Sequence, residues 1–127
     1  MKPNTHPSIS PSWVGQVGVL RPNEATAKLE TCKEMCADER GLVHGGFTFG
    51  LADYAAMLAV NDPHVVLGSS RCKFLAPVRL GETMIAFAVL RSEKGKKRIV
   101  DVHVEVNETR VFEGEFTCFV LQQHVLD

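Results

Sequence analysis

The chain has 127 residues and a formal net charge of −1, with 14 Lys and Arg against 15 Asp and Glu. This length suits one domain whose core can be stable without disulfide or metal cross-links. The balanced charge disfavours a general nucleic-acid binder, which is usually clearly basic. A hydrophobic content of 45% excludes a mostly disordered chain.

Residues 1–12 contain three prolines and no apolar stretch, so they predict neither a secretory signal nor a membrane span. None of the four cysteines has the C-x-x-C spacing of a redox or zinc motif, and the histidines have no metal-ligand spacing. We therefore expect free, mostly buried thiols, no metal site and a cytoplasmic location. Residues 1–22 are predicted to be an N-terminal arm, and residues 23–127 the folded domain.

The first regular elements are a strand and a helix. Apolar and polar residues alternate over Ala25–Cys32, which predicts a half-buried strand. A helix is predicted over Gly46–Val60, which is rich in Ala, Leu and Met. Its end is predicted before Pro63, because proline cannot continue a helix. This helix is apolar nearly all round, so we expect it to be buried.

After Pro63 the apolar pattern changes to a period of two. It predicts four long strands, at Val65–Phe74, Glu82–Ser92, Arg98–Glu108 and Arg110–Leu121. The breaks between the strands are short enough for antiparallel neighbours. The predicted fold class is therefore α+β, with one helix on an antiparallel sheet.

Asp53 is the only charged side chain among residues 41–60. A carboxylate that is buried without partners costs free energy, so an Asp within an apolar helix needs a reason. Either Asp53 has a functional role, or it faces solvent or caps a neighbouring loop.

The segment His44-Gly45-Gly46 stands at the predicted helix start. Glycines let a ligand approach the backbone, and free N–H groups at the positive end of a helix suit an oxyanion or a polarised carbonyl. An ordinary glycine-containing helix start is the alternative. Gly46 and Asp53 lie two turns apart, roughly 10 Å along the axis, so one reacting group can hardly contact both. Two antiparallel helices across a dimer axis would bring each glycine pair near the other chain's Asp53.

Two motifs together resemble the hotdog-fold thioesterases of the phenylacetate-degradation type. The first is H-G-G-x-x-x-x-L-A-D over residues 44–53, and the second is F-L-x-P-x-x-x-G-E over residues 74–82. The resemblance covers about residues 23–121. It implies a hotdog fold, in which a curved antiparallel sheet of five to six strands wraps a long central helix. It also implies at least a homodimer, with a homotetramer as an open alternative.

The resemblance also implies roles for individual residues. Asp53 would be the general base or nucleophile in the hydrolysis of an acyl-CoA. The N–H of Gly45 would polarise the thioester carbonyl from the other subunit, with Gly46 beside the substrate. His44 would hold the glycine turn and the substrate. Coenzyme A is then part of the substrate, and no cofactor is expected.

Two positions depart from the family pattern or fit it in more than one way. Asp38 stands about six residues before His44, where many members have Asn or Gln. Many members also place a Ser or Thr near the base on the next strand, and here Ser69 and Ser70 are both candidates.

The only basic cluster, Lys94-Gly95-Lys96-Lys97-Arg98, is either a solvated hairpin turn or a grip on the phosphates of coenzyme A. For that grip the candidates are Lys96, Lys97 and Arg98, and Arg71 and Lys73 are the alternatives.

The segment Val111–Phe116 resembles the effector domain of the hotdog repressor that senses malonyl-CoA. That repressor has Asn in place of Asp53, and it has a DNA-binding domain for which residues 1–22 are too short. The main hypothesis is therefore an acyl-CoA thioesterase without nucleic-acid or membrane partners. A non-catalytic acyl-CoA-binding or sensing module is the second hypothesis, and a subunit whose partner carries the competent site is the third.

Overall fold

A computed structural model describes the whole chain, residues 1–127. One antiparallel sheet of six strands, in the order β1-β2-β4-β5-β6-β3, surrounds a long helix that packs against all of its strands. The elements in chain order are α1 Pro11–Val14, β1 Gln16–Arg21, β2 Glu24–Glu30, a 3-10 turn Lys33–Met35, α2 Gly45–Val60, β3 Val65–Phe74, β4 Thr83–Lys94, β5 Lys97–Val106 and β6 Thr109–Val120. This confirms the predicted α+β class and hotdog architecture.

Helix α2 is enclosed, as its apolar sequence predicted. Every residue from Leu51 to Ala59 except Asp53 is buried. The helix begins one residue earlier than predicted, because His44 is still extended (φ −63°, ψ 131°) and the helical turn starts at Gly45. It ends at Val60, and the next residue, Asn61, adopts the left-handed conformation and donates its N–H to the carbonyl of Met57.

The strands alternate between a face on the helix and an outer face. In β5, Val100, Val102, Val104 and Val106 are buried, whereas Asp101 and the other intervening side chains point outward. In β6 the buried residues of the helix-facing side are Phe112, Phe116 and Cys118. The sheet therefore presents an apolar surface to α2, and its outer face carries the polar side chains together with a few exposed apolar ones such as Ile85 and Val89.

The predicted boundary between arm and domain is not a structural boundary. It falls in the turn between β1 and β2, which pair antiparallel in the same sheet, so the sheet already begins at Gln16. Strand β1 was not predicted, because its register shifts between Val17 and Leu20 and its apolar residues therefore do not alternate with a period of two. A Cβ at Gly18 would lie 2.5 Å from Thr26 Oγ1.

The first residues dock along α2 and are not a free arm. The N–H of Asn4 donates to Asn61 Oδ1 at 2.7 Å, and Thr5 is buried. Further along, the ring of Trp13 lies 6.1 Å from that of Phe47. The N-terminal segment therefore covers a side of the helix that the sheet leaves open.

Strands β1 and β3 form the two edges of the sheet.

No helix combines the length and the apolar character needed to cross a membrane. All four cysteines are free thiols; Cys118 is buried, and the other three are half-buried rather than buried as expected.

Candidate functional site

The start of α2 presents two unused hydrogen-bond donors. The N–H groups of Gly45 and Gly46 donate to no acceptor in the chain, and the side chain of His44 caps neither of them. The first intrahelical bond runs from the N–H of Phe47 to the carbonyl of His44, at 3.0 Å. Free N–H groups at the positive end of a helix attract a negatively charged or polarised oxygen.

Close contacts explain the glycines at this helix start. A Cβ at Gly45 would lie 3.2 Å from the ring of Phe74, and one at Gly46 would lie 2.9 Å from the ring of His44. The His44 ring also meets the edge of Phe47, with centroids 6.2 Å apart. His44 therefore lies over the glycine turn, and its imidazole is exposed to a ligand there.

Asp53 is half-buried and has no hydrogen bond or ion pair within the chain. Burial among apolar neighbours raises the pKa of its carboxyl from 3.8 to about 6. A carboxylate with a pKa near neutrality is a competent general base at pH 7, because it is mostly ionised yet binds a proton well.

Cys118 on β6 is the neighbour of Asp53 that sequence reasoning missed. Burial, and then the charge of Asp53, raise the pKa of its thiol to about 12. Because a thiolate is the nucleophilic form of cysteine, this shift disfavours a nucleophilic role for Cys118. Its place on the helix-facing side of β6 was the only sequence signal that could have shown it.

One subunit keeps the two halves of the predicted site apart. Gly45 and Asp53 are eight residues apart in α2, which corresponds to about 12 Å along the axis. Asp53 also lines none of the main surface cavities of the subunit. No intramolecular contact joins the carboxylate to the free N–H groups.

A bulge in β3 assigns the two candidate serines to opposite faces of the sheet. The register against β6 shifts between Leu67 and Ser69. Ser69 then pairs with Thr117 on the outer face, whereas Ser70 pairs with the buried Phe116 and faces α2. Ser70 is therefore the serine on the side of Asp53.

Arg71 and Lys73 lie on or near the outer face of the sheet. They border a cavity of about 720 Å³ there, and neither has a carboxylate within 4.0 Å. Their register partners on β6 are Glu115 and Glu113, which pair with other arginines. The sheet separates these two cations from Asp53.

The basic cluster forms the tight hairpin between β4 and β5. Arg98 is bound within it, because its guanidinium donates to the carbonyl of Gly95 at 2.7 Å and pairs with Glu93 at 3.4 Å. Lys96 and Lys97 are exposed and have no ion pair. Only these two of the three predicted cations are free to bind an anion.

Asp38 shapes the loop before α2. Its Oδ1 accepts hydrogen bonds from the N–H groups of Arg40 and Leu42, at 3.0 and 3.3 Å. Asp38 is exposed and forms a turn, an arrangement that Asp shares with Asn.

A second cavity, of about 410 Å³, opens beside Gly45. Its rim carries exposed apolar side chains, Leu42, Phe74 and Leu75. Sequence reasoning assigned no role to them.

Nowhere in the chain do three His, Cys, Asp or Glu side chains come together as a metal cluster would require.

The protein-family model of the thioesterase superfamily matches residues 40–112 of the sequence. These residues include both halves of this site. The chain belongs to the thioesterase superfamily. The resemblance to its hotdog members of the phenylacetate-degradation type is thereby confirmed.

Two solved structures are similar over 85% or more of the chain. The protein PH1136 from Pyrococcus horikoshii is 50% identical with a TM-score of 0.98, and the match covers 100% of this chain and 98% of that one. The phenylacetic acid degradation protein PaaI from Thermus thermophilus, in a substituted form, is 31% identical with a TM-score of 0.77, over 85% of this chain and 95% of that one.

The curated relatives are longer proteins. A methylthioribose-1-phosphate isomerase from Aquifex aeolicus is 46% identical over 118 residues, which are 92% of this chain and 26% of that protein. The transcription factor FapR from Caldanaerobacter subterraneus is 27% identical over 97 residues, which are 76% of this chain and 48% of that protein. The chain thus spans between a quarter and a half of these relatives, so their names describe more than the shared domain.

The raised pKa of Asp53 predicts a pH-dependent stability difference for Asp53→Asn. The folded state binds the proton more tightly than the unfolded state, so wild-type stability falls as pH rises from about 3.8 to about 6. Asn has no charge to bury. Below pH 4 the variant and wild type should have the same free energy of unfolding. Above pH 6 the free energy of unfolding of the variant should exceed that of wild type by up to ~3 kcal/mol. Urea unfolding at several pH values measures this difference.

The control is Glu39→Gln, which removes an exposed carboxylate that has no hydrogen bond. It should leave the unfolding free energy unchanged at every pH. A pH-independent difference for Asp53→Asn would contradict the assigned burial of this charge.

Proposed function

We propose that this chain is an acyl-CoA thioesterase that works as at least a homodimer. One observation carries the proposal: a half-buried, unpaired carboxylate with a pKa of about 6 lies on the same helix as two free N–H groups. A base and an oxyanion site are the two parts that thioester hydrolysis needs. Membership of the thioesterase superfamily supports this activity.

A second copy of the chain would complete the site. Two α2 helices packed antiparallel would bring Gly45 of each subunit close to Asp53 of the other, and both sites would form together. Strand β3 supports this arrangement, because it is an edge strand next to α2 whose outer backbone groups have no partner strand. A homotetramer would join two such pairs.

In the simplest mechanism Asp53 takes a proton from a water molecule. The oxygen of that water adds to the thioester carbonyl carbon, and the resulting oxyanion accepts a hydrogen bond from the N–H of Gly45 across the dimer. Collapse of this intermediate breaks the C–S bond, and the departing thiolate receives the proton. His44 lies over the glycine turn and Ser70 faces α2, so both would line the substrate's path.

Asp53 could instead attack the carbonyl itself and form an anhydride that water then hydrolyses. A single turnover in heavy-oxygen-labelled water tests for the anhydride route. Label in the Asp53 carboxyl indicates the nucleophile, because water has then attacked the Asp53 carbon of the anhydride.

We assign the coenzyme A phosphates to Lys96 and Lys97. Lys97 pairs in register with Phe119, the residue after Cys118, so this hairpin lies toward the end of the sheet that Asp53 faces. Arg71 and Lys73 lie toward the opposite face and the other end. Four free thiols support placing the protein in the reducing cytoplasm.

Asp53→Asn should lower kcat at least about 100-fold against a panel of acyl-CoAs, because the amide cannot accept the proton. Wild-type kcat/KM should fall as pH decreases through about 6, where Asp53 becomes protonated. A thiol-release assay measures both effects, with Glu39→Gln as the control variant. Wild-type turnover by Asp53→Asn would disprove the assignment of the base.

Gly45→Pro tests the oxyanion site by removing a single N–H. Proline is well accepted at the first position of a helix, and His44 already has the extended conformation that a following proline requires. We expect a fall in kcat of about 100-fold or more with little loss of folding. Gly45→Ala is the matched control, since it adds a Cβ near Phe74 but keeps the N–H. Equal losses in both variants would point to crowding and against the hydrogen bond.

Lys96→Glu with Lys97→Glu should raise KM for acyl-CoA about tenfold at low salt and leave kcat nearly unchanged, because exposed charges act through attraction that salt screens. The pair Arg71→Glu with Lys73→Glu makes the same change in net charge on the outer face. An increase in KM for that second pair alone would assign the phosphates to the outer face.

The similarity to the transcription factor FapR favours a second candidate function, a non-catalytic module. The resemblance of Val111–Phe116 to the effector domain of the malonyl-CoA-sensing repressor suggests acyl-CoA as its ligand. Tight binding of acyl-CoA by wild type with no thiol release would support it. Thiol release that depends on Asp53 would exclude it.

A further inference from the structure

The cavity beside Gly45 contains no charge. Its walls are formed by backbone and by apolar side chains, apart from Thr48. The Thr48 hydroxyl already donates to the sulfur of Met84, at 3.3 Å. A ligand in this cavity would therefore meet no free polar side chain.

The rim of the same cavity exposes an apolar surface. Leu42, Phe74 and Leu75 are 43%, 56% and 46% exposed. A volume of about 410 Å³ is within the range of small-molecule sites. Large apolar side chains grouped around a cavity indicate a binding surface more often than an accident of packing.

The position of the cavity determines which end of a thioester it can accept. Gly45 lines it, so a carbonyl bound by the free N–H of Gly45 would have one of its two substituents directed into this space. One substituent is the coenzyme A arm, which carries phosphates and needs cations. No cation lines the cavity in its own subunit, whereas the free Lys96 and Lys97 lie toward the end of the sheet that Asp53 faces. The substituent that fits is the acyl chain.

We infer, on the basis of the proposed function, that this cavity binds the acyl chain and that the substrate's acyl group is uncharged and apolar. A chain with a terminal carboxylate, as in malonyl- or other dicarboxylic acyl-CoAs, would have to lose its hydration against Val43, Val78 and Phe74 without any cation to pair with. The cavity thus selects for aliphatic or aromatic acyl groups and against dicarboxylic ones.

Two substrates of equal length test this selectivity in the full-length protein. Octanoyl-CoA should have a kcat/KM about 100-fold or more above that of octanedioyl-CoA, which differs in its terminal carboxylate. In the saturated series from acetyl- to octanoyl-CoA, kcat/KM should rise about threefold to fourfold for each buried methylene until the cavity is full. Equal rates for the matched pair would overturn the inference.

Two variants locate the effect in this cavity. Ala76→Phe fills part of it and should reduce the ratio of octanoyl-CoA to acetyl-CoA kcat/KM at least about tenfold. Val89→Phe is the control, because Val89 is 51% exposed on the outer face of the sheet. Leu75→Ser changes a rim residue that is 46% exposed, and it should reduce the same ratio about threefold or more. An unchanged ratio in both Ala76→Phe and Leu75→Ser would overturn the inference.

Binding measurements separate this inference from the proposed activity. If no acyl-CoA is hydrolysed, the proposed activity fails, and calorimetry still tests the cavity with the same two ligands. Tighter binding of octanoyl-CoA than of octanedioyl-CoA, weakened by Ala76→Phe and not by Val89→Phe, would sustain the inference. Equal affinities would overturn it.

Discussion

Helix α2 is apolar around nearly its whole circumference, so it is stable only where other elements surround it. The six strands curve around it, and the N-terminal segment covers a side that they leave open. The arrangement of the other elements follows from this one requirement. Alternating strands supply an apolar inner face, and their polar side chains remain outside.

The same enclosure creates the chemistry of Asp53. A carboxylate within an apolar helix loses hydration and has no partner in its own chain, and its pKa rises to about 6 for that reason. The same environment raises the pKa of the neighbouring Cys118 thiol to about 12. One low-dielectric region thus raises the pKa of both groups.

The helix also separates the groups that the proposed reaction must combine. Its free N–H groups are at Gly45, about two turns from Asp53, and a rigid helix cannot bend to join them. The arrangement of two half-sites on one element favours assembly from two chains over rearrangement of one. The uncharged cavity at Gly45 and the free lysines of the β4–β5 hairpin lie toward opposite ends of one subunit's sheet.

Sequence alone determined the fold class, the bounds of α2 and of the long strands to within about two residues, and the candidate pair Asp53 and Gly45, because these depend on local periodicity and on single unusual residues. It missed β1, whose register shift breaks the period of two. Only the tertiary structure decided that Ser70 and not Ser69 faces the helix, that Arg98 is bound in its own hairpin, and that Leu42, Phe74 and Leu75 surround one cavity. These facts depend on a bulge and on contacts between residues distant in the chain, which no local pattern encodes.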